Sequence, residues 1–72
     1  ALSRRLGAAI QRRRVAIGLT QEDVAWEAEL SVRHYQLLEG GYGNPRLRTL
    51  FAIAAVLRTS IHGLLEIAEQ HR

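Results

Sequence analysis

The segment 31–41, SVRHYQLLEGG, carries side chains whose types and spacing suit molecular recognition. It opens on a serine, which suits a helix N-cap, and closes on a glycine pair, which suits a helix end. At about 100° per residue, Arg33, Gln36 and Leu37 share one face of such a helix. Val32 lies at the edge of that face. Arginine can donate two hydrogen bonds to guanine, glutamine can pair with adenine or a phosphate, and leucine or valine can touch a thymine methyl group.

The rest of the chain must position that helix, and its pattern predicts four more helices. Glycines punctuate the sequence, and apolar residues recur at helical spacing without a valine-rich alternating run. Helix two has a clear start, because Thr20 is a good N-cap and Asp23 occupies the capping-box position. The predicted helices cover residues 3–17, 21–28, 31–39, 46–57 and 61–70. We expect an all-α chain, a compact five-helix bundle that forms one domain over residues 1–72.

Composition limits the possible classes of protein and partner. Seventy-two residues without cysteine build one small core with no disulfide and no cysteine-based zinc site. No signal peptide or long apolar run is present, so a cytoplasmic location is expected. The net charge is +3, and residues 1–20 and 40–58 contain arginines but no acid. Such clusters favour a polyanion such as nucleic acid, although a solvated basic surface explains them equally well.

The predicted second and third helices, within residues 20–40, have helix-turn-helix spacing. With Gln21 as the first position of that motif, the fifth is Ala25, which is small enough to let the two helices cross closely. The fifteenth and eighteenth positions should be apolar, and they are Tyr35 and Leu38. The ninth position, usually a glycine in the turn, is Glu29. Three of the four key positions therefore fit the motif.

These residues resemble a known family. The stretches LTQEDVAWEAELSVRHYQLLEGG and GNPRLRTLFAIAAVLRTSIHGLL are similar to the Xre-type helix-turn-helix domain of the lambda and 434 repressors and Cro. The resemblance covers about residues 6–65. It implies a bacterial or phage-type transcription regulator that binds duplex DNA sequence-specifically, commonly as a homodimer, with the third helix in the major groove.

The resemblance also implies roles for single residues. Gln21 would clamp a phosphate at the start of helix two, and Ser31 would contact a phosphate at the start of helix three. The loop 41–46 would run along the DNA backbone, where Arg46 and Arg48 can neutralise phosphates. The candidate DNA-binding residues are Gln21, Ser31, Val32, Arg33, Gln36, Leu37, Tyr42, Asn44 and Arg46.

Departures from the family pattern keep a second hypothesis open. Glu29 replaces the usual turn glycine, and a left-handed backbone costs a non-glycine residue about 1–2 kcal/mol, so the turn is expected to be reshaped. Leu37 is unusual on a base-reading face, and Trp26 is either a partly buried packing residue or a patch under a partner. The alternative function is a protein-interaction module, antitoxin-like or a co-regulator, on the same fold. Salt dependence separates the two hypotheses, because DNA binding releases counter-ions.

Helices one and four also have structural interpretations. The arginine run 12–14 is mostly a solvated face, except that the resemblance implies a partly buried ion pair between Arg14 and Glu39. Helix four has little polar surface, so it is either the buried centre or part of a contact with a second subunit. An apolar residue left at a helix edge, such as Val56 or Ile67, would mark that contact.

No catalytic or metal site is predicted. His34, His62 and His71 lie in different segments with no carboxylate or cysteine arranged around them, so metal binding and general-base catalysis are not expected. We therefore expect neither enzyme activity nor a cofactor. The expected partners are duplex DNA and a second copy of the chain, with a protein partner bound through Leu37 or Trp26 as the alternative.

Overall fold

The computed structural model describes residues 2–70; Ala1, His71 and Arg72 lie outside the described residues. The described chain contains helices and turns without strands, which confirms the predicted all-α, five-helix fold. The helices are α1 (Leu2–Ala16), α2 (Gln21–Glu27), α3 (Val32–Glu39), α4 (Leu47–Val56) and α5 (Ile61–Gln70).

The starts of α2 and α3 follow from side-chain caps. The Asp23 backbone N–H donates to Thr20 Oγ1 at 3.0 Å, and the Thr20 backbone N–H donates to Asp23 Oδ2 at 2.9 Å, which completes a capping box. Ser31 accepts from the backbone N–H of His34 at 3.0 Å. The start of α4 differs by one residue from the prediction: Arg46 has an extended backbone and serves as the N-cap, so the helix begins at Leu47.

Helices α1 to α4 all end in the same hydrogen-bonded motif. In each, the residue after the C-cap has a left-handed backbone, and the next N–H reaches back to a carbonyl five residues earlier. These left-handed residues are Gly18 (φ 78°), Glu29 (φ 58°), Gly41 (φ 84°) and Arg58 (φ 58°). The prediction that glutamate reshapes the turn after α2 is therefore wrong. The turn keeps its left-handed form because this form allows the Leu30 N–H to bond to the Ala25 carbonyl at 2.8 Å.

The strained Glu29 gives a stability prediction. Replacing Glu29 with glycine relieves about 1–2 kcal/mol of left-handed strain but adds backbone entropy to the unfolded chain. We expect the Glu29→Gly variant to gain about 0.5–1 kcal/mol in free energy of unfolding, measured by urea titration followed by circular dichroism. Glu27→Gly, at the last residue of α2, is the matched control: glycine relieves no left-handed strain there and should lower the stability by about 0.5–1 kcal/mol. Losses in both variants would contradict the prediction.

All five helices contribute to the core: α1 packs against α3 and α5, α2 packs against α3 and α4, and α4 packs against α5. Tyr35 and Leu38 are buried, as the helix-turn-helix register predicts. Ala25 is fully buried at the position where a small side chain was expected. The largest completely buried side chains are Tyr35, Ile10, Ile53, Leu57, Leu64 and Val24.

Arg13 has a different role from the one predicted. Its Nε donates to the Leu57 carbonyl at 2.8 Å, and its Nη2 donates to the Arg58 carbonyl at 3.0 Å. The guanidinium therefore closes the C-terminal end of α4, where backbone carbonyls concentrate partial negative charge. Within the arginine run 12–14, Arg13 is therefore structural as well as Arg14.

Gly7 marks the closest approach of α1 to α3. A Cβ built on Gly7 would lie 2.5 Å from the carbonyl oxygens of both Leu38 and Glu39. Only a residue without a side chain fits there, so Gly7 fixes how the first turns of α1 lie across the end of α3.

α4 presents two different faces. Ile53 and Ala54 are buried, whereas Leu47 and Phe51 are 63% and 60% exposed and lie one turn apart on the outer side. No individual helix within residues 2–70 is long and apolar enough to cross a bilayer; α4 and α5 together reach that length and hydropathy only as a pair bent by 84°.

Candidate nucleic-acid interface

The outer face of α3 is available for contacts. Arg33 and Gln36 are exposed, and Leu37 is 43% exposed on the same side. Val32, at the edge of this face, is half-buried and packs against the core. Ser31 is exposed, but its Oγ already accepts the cap hydrogen bond, which leaves its O–H free to donate. The predicted base-facing residues therefore lie together on one accessible surface.

This helix is anchored to α1 by a buried ion pair. Arg14 Nε lies 2.6 Å from Glu39 Oε2, and Arg14 Nη2 donates to Glu39 Oε1 at 3.3 Å. The Tyr35 hydroxyl also donates to Glu39 Oε2, and Gln21 Nε2 donates to Glu39 Oε1 at 2.9 Å. Arg14 further donates to the Leu19 carbonyl at 2.9 Å. Both carboxylate oxygens are thus satisfied, and the Arg14–Glu39 pair implied by the resemblance is present.

The network shifts the acidity of its members. Burial alone would raise the pKa of Glu39, but the hydrogen bonds from Arg14, Tyr35 and Gln21 outweigh it, so the pKa lies below its usual range. The hydrogen bond to Glu39 raises the pKa of Arg14. Burial, followed by the bond to Glu39, raises the pKa of the Tyr35 hydroxyl. The group therefore stays a charged pair with a neutral tyrosine across the physiological pH range.

A second hydrogen bond extends the network to the outer face of α3. Gln36 Nε2 donates to Gln21 Oε1 at 3.1 Å, so Gln21 links buried Glu39 to exposed Gln36. This connection was not predicted, because the resemblance gives the two glutamines separate contacts. Gln36 keeps its Oε1 and one N–H for a base edge, and its position is set by Gln21. Gln21 is the first residue of α2, whose first turn also carries Glu22 and Asp23.

The loop after α3 is held in a fixed shape. The Gly41 N–H donates to the Leu38 carbonyl at 3.1 Å, and the Tyr42 N–H donates to the Leu37 carbonyl at 2.9 Å. Tyr42 is 65% exposed, and its ring lies over Gly40, where an added Cβ would come within 3.0 Å of it. Gly40 offers no side chain for a DNA contact, but the missing side chain makes room for the Tyr42 ring. The other predicted loop contacts, Asn44 and Arg46, are exposed.

Trp26 is 84% exposed, so of its two expected roles partly buried packing is wrong, and a surface patch remains. It lies on the outer side of α2 because Val24 and Ala25 take the inward positions. The groove beside it is lined by Leu19, Glu22, Asp23, Trp26, Glu27, Leu30 and Val32. The three acids would repel phosphates, which sets this groove apart from the basic surface formed around the outer face of α3.

Within residues 2–70 no group of three or more histidine, cysteine or acidic side chains could hold a metal ion. His62 Nε2 lies 2.7 Å from Glu66 Oε1 on the exposed side of α5, so the expectation that no carboxylate lies beside the histidines is wrong for His62. His34 lies on α3, and His71 lies outside the described residues.

Sequence comparison finds relatives among transcription regulators. Residues 10–64 match the model of the helix-turn-helix family. The HTH-type transcriptional regulator DdrOP3 of Deinococcus deserti is 40% identical over 52 residues, which cover 72% of this chain and 40% of that protein. The present chain thus spans less than half the length of this relative.

Solved structures share the arrangement of helices. The clp gene regulator ClgR of Corynebacterium glutamicum superposes with a TM-score of 0.94 at 26% identity, covering 97% of this chain and 90% of that one. The restriction-modification controller protein C.Esp1396I superposes with a TM-score of 0.85 at 25% identity, covering 96% of this chain and 90% of that one. A further C.Esp1396I structure, bound to a 25 base pair operator site, has a TM-score of 0.85 at 24% identity and covers 97% and 92%. With a family match over most of its length, a helix-turn-helix register filled as predicted, and a shared five-helix fold, the chain belongs to the helix-turn-helix family.

Proposed function

We propose that this domain is a transcription regulator that binds specific duplex DNA sequences through α3. The observation that carries the proposal is the exposed face of Arg33, Gln36 and Leu37 on a helix anchored by the buried Arg14–Glu39 pair. A reading helix must hold its side chains in register with base edges, and this anchoring supplies the rigidity. The proposal includes no enzymatic step, and it places the protein in the cytoplasm, where DNA is accessible.

The charge distribution supports the same function. Arg33 on α3 and Arg46 and Arg48 at the start of α4 are exposed. Arginines flanking a reading helix neutralise phosphates, which supplies affinity and fixes orientation without reading sequence. DdrOP3 is named as a transcriptional regulator, and C.Esp1396I, which shares the fold, is known bound to an operator.

We also propose that the domain acts as a two-fold dimer through α4. The sequence interpretation allowed helix four to be a buried centre or a subunit contact, and exposure of Leu47 and Phe51 favours the second. Val56 and Ile67, the predicted markers, are half-buried, so Leu47 and Phe51 replace them in this proposal. A two-fold dimer would read half-sites about 34–36 Å apart along the duplex.

A protein-interaction module remains the second candidate function. Exposure of Trp26 within an acidic groove favours it, because a large aromatic side chain in water is typical of a contact surface. Leu37 would serve either function. The two functions occupy different surfaces, so one chain could have both.

Selection from a pool of random duplex DNA, at two salt concentrations, tests the proposal. Enrichment of a palindromic motif with steep salt dependence is the expected result, and the motif spacing would measure the dimer geometry. If binding to the duplex pool did not depend on salt and no motif were enriched, sequence-specific DNA binding would be rejected and the protein-interaction function favoured.

Arg33 should determine one base pair of the selected site. Arg33→Ala is expected to weaken binding to that site by about 1–3 kcal/mol and to relax the preference at one position, because it removes a two-bond contact to guanine. Arg33→Lys is the matched control, since lysine keeps the charge but cannot form the planar two-bond contact. The lysine variant should keep the salt dependence and show a weaker base preference. Unchanged preference in both variants, measured by repeat selection, would remove Arg33 from the reading face.

A further inference from the structure

We infer that Arg4, on the first turns of α1, is a further phosphate-contacting residue on the same edge of the domain as the loop 41–46. The inference rests on the proposed function, and it adds a residue outside the helix-turn-helix motif to the DNA-binding surface. Neither the motif spacing nor the family resemblance points to this position.

The first observation is the contact between Gly41 and α1. A Cβ built on Gly41 would lie 2.6 Å from Arg4 Cα and 3.2 Å from both Arg4 Cβ and Arg4 N. The loop backbone therefore touches the α1 backbone directly at Arg4, with no side chain between them. Gly41 also has φ 84°, a conformation in which side chains are strained, so glycine serves two purposes here.

The second observation is that this contact is part of a rigid junction. One helical turn beyond Arg4, Gly7 lies against the carbonyls of Leu38 and Glu39. The two contacts hold the first turns of α1 against the C-terminal end of α3 at separate points. Any displacement of Arg4 relative to the outer face of α3 would have to break one of them.

The third observation is the charge around Arg4. Arg4 is exposed, and residues 2–20 contain no acidic residue. Glu39, whose backbone Gly7 contacts, is already paired with Arg14 in the interior. The Arg4 guanidinium therefore adds positive charge beside Gly41 and the loop that follows it, and a phosphate beside that loop would be its natural counter-ion.

Helix geometry separates Arg4 from its neighbour. At about 100° per residue, Arg4 lies roughly 60° from the direction of Gly7, which faces α3. Arg5 lies roughly 160° from that direction and points to the other side of α1. Both are exposed arginines on the same helix turn. Arg5 is thus a control for the general effect of net charge.

The experiment compares wild type, Arg4→Ala and Arg5→Ala on the selected duplex by fluorescence anisotropy across a series of salt concentrations. One lost phosphate contact should reduce the magnitude of the log–log salt slope by about 0.9. If the variant and wild type bind equally at about 1 M salt, this change in slope corresponds to about 8-fold weaker binding by the variant at about 0.1 M salt. We expect this change in Arg4→Ala on both the selected and an unrelated duplex, and a near wild-type slope in Arg5→Ala.

The possible results are distinguishable. An unchanged slope in Arg4→Ala, or an equal reduction in both variants, would overturn the assignment of Arg4 while leaving DNA binding intact. Absence of salt-dependent binding by the wild-type domain would overturn the proposed function and this inference together. A thermal melt of each variant confirms folding, which exposed alanines in a helix should not disturb.

Discussion

Replacing Glu39 with alanine is expected to lower the free energy of unfolding by about 3–5 kcal/mol. Glu39 is 7% exposed and accepts hydrogen bonds from Arg14, Tyr35 and Gln21. Without the carboxylate, the Arg14 guanidinium loses its counter-ion and the buried Tyr35 hydroxyl loses its acceptor. Small domains have a total stability of about 5–15 kcal/mol, so the variant should be close to unfolding at room temperature.

Urea unfolding followed by circular dichroism measures this effect. Glu69→Ala is the matched control, because Glu69 is an exposed glutamate whose loss should change stability by less than about 0.5 kcal/mol. Arg14→Ala should approach the loss seen for Glu39→Ala, since it leaves a buried carboxylate without its partner. A loss below about 1 kcal/mol in Glu39→Ala would show that the pair does not hold α1 to α3.

The same carboxylate predicts a pH dependence. The pKa of Glu39 is lower in the folded chain than its ordinary value of 4.5. The stability it contributes is therefore fully present above about pH 4.5 and is lost as the pH falls through the folded pKa. The pKa of Asp23 is also lowered, first by its bond from the Thr20 backbone N–H, so wild type alone does not isolate Glu39. The stability difference between wild type and Glu39→Gln cancels Asp23 and should shrink below about pH 4.5.

Gly7→Ala is expected to destabilise the domain by about 2–3 kcal/mol, although alanine is the better helix former. The added methyl carbon would sit 2.5 Å from two backbone carbonyl oxygens, which cannot rotate away as a side chain can. Either α1 shifts from the end of α3, or the last turn of α3 deforms.

The sign of this change is diagnostic. At an uncrowded helix position, alanine in place of glycine would add about 0.5–1 kcal/mol of stability. The reverse change at the neighbouring position, Ala8→Gly, removes helix propensity and a half-buried methyl group together and should cost about 1 kcal/mol or slightly more. Thermal and urea unfolding of both variants test the argument. A stabilised Gly7→Ala variant would mean that the two helices separate at no cost.

Sequence alone predicts the parts of this fold that depend on local chemistry. Thr20 and Ser31 can be identified as caps because their preference is a property of a few consecutive residues. Tyr35 and Leu38 can be assigned to the interior because helical periodicity places them on one face. The Arg14–Glu39 pair, 25 residues apart, was implied by the family resemblance and not by spacing.

Features that depend on how helices cross could not be predicted. The bond from Gln36 to Gln21 requires the angle between α2 and α3. The capping of α4 by Arg13 joins residues more than forty positions apart. Gly7 looks like any weak helix residue in sequence, and its role appears only where the backbone of α3 passes over it. The exposure of Trp26 likewise depends on how the other helices pack around α2.

Two of the four left-handed helix ends, at Glu29 and Arg58, use residues that are strained in that conformation. This strain has a consequence for how such a protein can evolve. Most substitutions on a recognition helix lower stability, and a small domain near its stability threshold tolerates few of them. Glycine at either helix end would widen that margin without altering the exposed face of α3. The two strained residues therefore leave stability to be gained, and a variant with both glycines should accept a broader set of changes in specificity before it unfolds.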